Sequence, residues 1–138
     1  MMALVEKFGT IRLGYEPIDK DHDEFLGLLN ALDGAGNADF PALFRQLYEH
    51  TEQHFERENL LMRESSFPAE SEHKGEHLRV LGEFKQFNSR VEKGLIAFGR
   101  SFAKERLPQW FELHVATMDS AFVAHLNTKL PLFGSAER

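Results

Sequence analysis

Apolar residues recur at intervals of three and four in four stretches of the chain, the period of an amphipathic helix rather than of a strand. In the first, Ile18, Phe25, Leu29 and Leu32 share a stripe with His22, with Asp19 as candidate cap, and the run stops at Gly34-Ala-Gly-Asn. The second opens near Asp39-Phe-Pro, where Pro41 suits a first turn. It carries Phe40, Phe44, Leu47, Thr51, His54, Glu58 and Leu61 before Ser65-Ser-Phe-Pro68 ends it. A third runs from about Glu70 to Glu92 with His73, His77, Val80, Phe84, Phe87 and Val91 inward, although Gly75 and Gly82 weaken its propensity. Lys93 to Gly99, with two glycines, reads as a connection. The fourth stripe is Leu107, Phe111, His114, Met118 and Phe122. Because Pro108 lacks an N–H, this helix is expected to start or kink there, with Ser101 to Arg106 as a helical turn leading in. Four long helices with short connections predict an all-α, up-down-up-down four-helix bundle.

The polar residues that interrupt these stripes carry the chemistry. His22, His54, Glu58, His73, His77, His114 and Asp119 fall on or beside the apolar faces, where an unpaired polar group costs roughly 2–7 kcal/mol and an unpaired charge far more. A lone buried histidine usually has a carbonyl partner. Seven such residues distributed over all four helices instead point to one shared site. Residues four apart lie on one helix face about 6 Å apart, which fits His54 with Glu58 and His73 with His77. Asp119 follows His114 by five, a rotation of roughly 140° in an α-helix, so those two are expected to straddle the site rather than share a face.

Composition narrows what the site can hold. The chain has 138 residues, one ordinary domain, and no cysteine, so disulfides, thiolate-bound zinc and iron–sulfur clusters are excluded. We assign residues 1–126 to the bundle, with 1–17 as an amino-terminal arm packed on it and 127–138 as a tail. The net charge of −6 argues against nucleic acid or an anionic membrane as partner, and Arg100, Lys104 and Arg106 read as a solvated face. With no long apolar segment, a cytoplasmic protein is expected. Seven donors exceed the four of a tetrahedral zinc site, and two carboxylates suit a bridged pair of ions. Imidazole-rich binding fits iron, zinc, copper or nickel, so the donor types alone leave the metal open.

The spacing of these residues is specific. Gly14 and Ile18-Asp19 precede His22; His54-Phe-Glu-Arg-Glu58 is followed by Met62; then come His73-Lys-Gly-Glu-His77 and Trp110 to His114 to Asp119. In these motifs the chain, from about Phe8 to Leu126, resembles the hemerythrins, specifically the single-domain bacterial ones. Myohemerythrin is itself a standard example of an up-down-up-down four-helix bundle, so the resemblance and the predicted fold are not independent. The resemblance implies two iron ions, one held by His73, His77 and His114 and the other by His22 and His54. Glu58 and Asp119 would bridge them together with an oxo or hydroxo group. It further implies reversible dioxygen binding, as a hydroperoxide on the five-coordinate iron, for storage, delivery or scavenging rather than enzymatic turnover. Nitric oxide and small anions such as azide are the other ligands it suggests.

An oxygen or nitric oxide sensor, or a detoxifying protein with weak peroxidase-type activity, is the alternative. A ferritin-like di-iron enzyme is a poorer match, since only Glu70 with His73 fits its Glu-x-x-His motif. Phe25, Phe55, Trp110, Phe111 and Val115 are the candidates for an apolar dioxygen pocket. Phe111 stands where the family usually has leucine, Phe8 near a frequent tryptophan, and Asp21 at a common glutamine. His50 is expected beside the site rather than in it, and His125, eleven residues past His114, is too far along the helix to join it.

Overall fold

The computed structural model describes residues 12–129, which fold into four helical runs packed as a bundle without a strand. Phe8, most of the expected amino-terminal arm and all but the start of the expected tail lie outside the described residues.

Helix α1 (Glu16–Asp33) starts three residues before the expected cap. Gly14 turns the chain with φ of 95°, a conformation that L side chains rarely adopt. That turn aims the N–H groups of Leu13 and Gly14 at the Asp19 carboxylate, at 2.9 and 3.2 Å. Asp19 therefore works from inside the first turn, reaching back to satisfy two exposed donors, and its charge suits the helix amino terminus. Glu16 and Pro17, expected in the arm, belong to α1.

Helix α2 (Phe40–Glu64) opens with Pro41 in its first turn, as the sequence predicts. Its far end is fastened by His125, whose Nε2 donates to the Ser65 carbonyl at 2.8 Å. That contact fits the expected placing of His125 away from the site.

Helix α3 (Glu70–Glu92) also follows the pattern. The connection after it is shorter than expected, only residues 93–95, with Gly94 in the turn at φ of 92°. Gly99 instead sits inside the next helix, where a Cβ would collide with Val91 and Phe40. This glycine is a close-approach residue, a role the pattern of two nearby glycines does not distinguish from a loop.

The last helical run spans residues 96–128 without interruption. It consists of α4 (Ile96–Ser101), a π turn (Phe102–Arg106), α5 (Leu107–His114), a second π turn (Val115–Asp119) and α6 (Ser120–Thr128). Thus the helix runs through Pro108 and begins twelve residues earlier. In the first π turn the Leu107 N–H bonds to the Phe102 carbonyl. This wider turn occupies the place where the proline ring would crowd the carbonyl four residues back and its missing N–H would leave an acceptor idle.

Arg100 does not lie on a solvated face. Half-buried, it sits 4.6 Å from the centre of the Phe40 ring and donates to the Ala35 carbonyl and Asn37 Oδ1 at 2.7 and 2.8 Å, tying the α1–α2 loop to α4. Arg106 is exposed and donates to Glu83 at 2.6 Å.

The core has two apolar parts. One contains Leu29, Phe40, Phe44, Leu47, Phe84 and Phe102; the other contains Ile18, Met62, Phe122 and Leu126. On α1, α2 and the last run, the polar candidates fall between residues of these two clusters. No helix among the described residues is long and apolar enough to cross a membrane.

Candidate metal centre

All seven candidates are buried, each no more than 4 % exposed, and they converge from all four helical runs. In one group His73 Nε2 lies 3.1 Å from Asp119 Oδ1 and 3.6 Å from Glu58 Oε1. His77 Nε2 is 3.3 Å from the same Glu58 oxygen, and His114 Nε2 is 3.0 Å from Asp119 Oδ1. On the other side His54 Nε2 meets Glu58 Oε2 at 2.6 Å and His22 Nε2 meets Asp119 Oδ2 at 2.9 Å. Each carboxylate thus divides its two oxygens, one toward the group of three imidazoles and one toward the remaining two.

His114 and Asp119 do share a face, contrary to the α-helical expectation. The second π turn is responsible: the Ser120 N–H reaches back five residues to the Val115 carbonyl. Five residues then make about one turn instead of overshooting it. The same shift leaves Met118, expected inward, only half-buried, while Val115, Asp119 and Phe122 are buried. Nothing in the periodicity signals this turn.

The donors fit a cation. Nε2 of His73, His77 and His114, Oε1 of Glu58 and Oδ1 of Asp119 are all buried without a hydrogen-bond partner. These five atoms belong to residues whose ligand atoms lie within 4.8 Å of one another, as do those of His22, His54 and Glu58. Leaving so many lone pairs idle would be costly, and a metal ion satisfies them together. His77 is also oriented for that task. Its Nδ1 lies 2.8 Å from Asn59 Oδ1, which can only accept, so Nδ1 carries the proton and Nε2 keeps its lone pair for the cluster. Asn59 is a positioning residue that the sequence pattern does not reveal.

The carboxylates are built to stay charged. Burial and the neighbouring Asp119 push the Glu58 carboxyl up, but the charge and hydrogen bond of His54 and the close approach of the His77 ring outweigh them and bring it down to about 2. Burial likewise opposes ionisation of Asp119, yet the imidazoles of His114, His22 and His73 that face its oxygens hold it well below the usual carboxylate range. Burial, aided by the neighbouring His73 and His114, pushes His77 down against the pull of Glu58, favouring the neutral ring that a metal requires.

His50 stays beside the cluster, as expected. Its Nε2 donates to the Asp21 carbonyl at 3.2 Å, and burial lowers its pKa. Asp21 itself receives a two-pronged ion pair from Arg57, at 2.6 and 3.1 Å.

A cavity of about 10 Å3 adjoins the cluster, lined by Phe25, Thr51, His54, Phe55, Trp110, Phe111, His114 and Asp119. Four of the five pocket candidates are in this lining. Val115 is not; as the first residue of the second π turn it is buried in the larger apolar cluster. Thr51 is an addition, its hydroxyl turned to the Leu47 carbonyl at 2.8 Å. Phe111 stacks on Phe25 with centroids 4.9 Å apart and meets His22 edge-on at 5.4 Å, so the ring at this position closes the cavity against an imidazole of the cluster.

The sequence profile of the hemerythrin HHE cation binding domain matches residues 13–126. A bacteriohemerythrin of Ralstonia nicotianae (strain ATCC BAA-1114 / GMI1000) is 35% identical over 130 residues, 94% of each chain. No solved structure matches the chain significantly. Since the profile takes in all seven clustered residues and the relative spans almost the full length of both chains, this protein belongs to the hemerythrin family.

Proposed function

We propose that this protein binds dioxygen reversibly at a pair of iron ions, for storage, delivery or scavenging within the cytoplasm, and is not an enzyme. His73, His77 and His114 hold one ion, His22 and His54 the other, and Glu58 and Asp119 span both. The observation that carries this reading is the division of each carboxylate's oxygens between a group of three imidazoles and a group of two. A carboxylate placed this way is suited to bridge two cations.

When bound, the iron pair supplies the electrons and the open coordination position that reversible dioxygen binding needs. The chain supplies the rest. Its three-to-two distribution of histidines makes the side with His22 and His54 one donor poorer, and the cavity reaches His54 on that side as well as His114 on the other. Mostly neutral imidazoles favour the reduced metal more than a carboxylate-rich shell does. The rings of Phe25, Phe55 and Phe111 keep the cavity small and apolar, which opposes the entry of water and protons that would promote one-way oxidation of the centre by dioxygen. A cavity of about 10 Å3 is near the minimum for one water-sized molecule.

The test is anaerobic titration of the reduced, iron-loaded protein with dioxygen, followed by removal of the gas. A visible absorption band that grows with dioxygen and disappears under vacuum, through repeated cycles, is expected. One-way oxidation would overturn the carrier reading and favour a detoxifying or sensing protein.

A further inference from the structure

Trp110 belongs to two cavities at once. It lines the small cavity beside the cluster, and it also lines an open groove of about 350 Å3 between α3 and the last helical run, whose wall includes Glu76, Arg79, Glu83, Arg106 and Leu113. Among the described residues it is the one common to both linings. On the inner side its ring stacks on His114 at 4.7 Å and meets Phe25 and Phe55 at 6.4 and 6.0 Å. On the outer side its Nε1 donates to Glu76 Oε2 at 2.9 Å.

We propose that Trp110 is the door through which a small ligand passes between the groove and the metal centre, and that Glu76 is its latch. This rests on the ligand-binding role given above. The ring lies between solvent and cavity, and its one polar atom is held by a carboxylate that is itself held in place. Arg79 grips Glu76 with two hydrogen bonds, at 2.9 and 2.8 Å, and makes a third to Glu83 at 2.6 Å. Arg106 donates to the other Glu83 oxygen at 2.6 Å, so the network joins α3 to the last helical run across the groove. The hydrogen bonds from Arg79, reinforced by the one from Trp110, keep the Glu76 carboxyl near 2 despite partial burial, so the latch stays charged at neutral pH. A hydrogen bond to a charged acceptor is the stronger kind, and losing it lets the indole swing outward more often. Loosening the latch changes how fast a ligand crosses and leaves the affinity alone, since Glu76 lies outside the cavity lining and its loss alters the barrier and not the site.

The experiment measures dioxygen association and dissociation rates on the reduced, iron-loaded protein, comparing wild type with Glu76→Ala, Trp110→Phe and the double variant. Glu76→Ala should raise both rates by the same factor, about tenfold for one hydrogen bond to a charged acceptor, with Kd unchanged. Trp110→Phe should act in the same direction, and the double variant should be no faster than the faster single. Glu112→Ala, an exposed change on the same helix, should alter neither rate.

A second readout does not depend on dioxygen binding. Trp110 is the chain's one tryptophan, so in protein loaded with zinc, which has no redox chemistry, its fluorescence reports the door directly. Acrylamide should quench it more strongly in Glu76→Ala than in wild type. In Glu76→Ala, unchanged quenching together with unchanged rates would overturn the proposal, as would a changed Kd with an unchanged association rate. Failure of wild type to bind dioxygen, with quenching still enhanced in Glu76→Ala, would instead sink the carrier reading and leave the latch standing.

Discussion

Two regions of this bundle are equally buried and opposite in chemistry. At one end Phe40, Phe44, Phe84 and Phe102 pack ring against ring, with centroids 5.2 to 5.7 Å apart from Phe40 to Phe44, Phe44 to Phe84 and Phe84 to Phe102. Farther along the helices, five imidazoles and two carboxylates occupy the equivalent interior. The rings are satisfied by contact with one another. The polar layer has buried lone pairs aimed at a common centre and depends on a bound cation to use them. The aromatic end therefore contributes stability of its own, whereas the polar layer contributes stability that is linked to metal.

The sharpest separation comes from deleting one group on each side. Phe84→Ala empties a fully buried site and should cost about 3–5 kcal/mol in denaturant unfolding, by the same amount with and without metal. A metal-dependent cost would mean the two regions act as one unit. His77→Ala should behave in the opposite way. With free metal about a thousandfold above the wild-type Kd, it should forfeit about 4 kcal/mol of linked stabilisation, and far less in metal-free protein. Equal losses in both states would erase the contrast.

Acid provides the next test. In metal-free protein the Glu58 carboxyl falls from its ordinary 4.5 to about 2, a folded value below the unfolded one. Its contribution is therefore complete above the unfolded value and is lost as pH falls from about 5 to about 2, on the order of 3 kcal/mol. Asp119 adds a loss of the same sign. Glu58→Gln should flatten this part of the stability–pH curve, and Phe84→Ala should only lower it. A parallel shift in both would remove Glu58 from the account. The smallest effect is expected at Asn59. Asn59→Ala takes away the partner of His77 Nδ1 and should weaken metal binding about tenfold while metal-free stability stays within about half a kcal/mol.

The aromatic end was the more legible of the two regions. Its rings follow the 3.6-residue period, so α2 and α3 match the pattern from end to end. The identity of the seven cluster residues was also readable, because polar groups on an apolar stripe stand out and their spacing matches the hemerythrin pattern. Their mutual geometry was not. An α-helical wheel places Asp119 about 140° away from His114, and only the π turn brings it round. Proline gave a partial sign of the other π turn, though the helix passes through Pro108 where a start or kink was expected. Gly99 and Asn59 were hidden for a related reason: each matters through a neighbour on another helix, and periodicity along one helix carries no information about that neighbour. The same holds for Arg100, whose charge suggested solvent, whereas Phe40 and the Ala35 carbonyl lie beside it.

Whether one polar layer holds two ions is read from the iron-to-chain ratio of protein reconstituted anaerobically, determined by elemental analysis against quantitative amino-acid analysis. The arrangement of two donor groups sharing Glu58 and Asp119 predicts two irons per chain. A ratio that saturates at one, with His22 and His54 dispensable for binding, would contradict it.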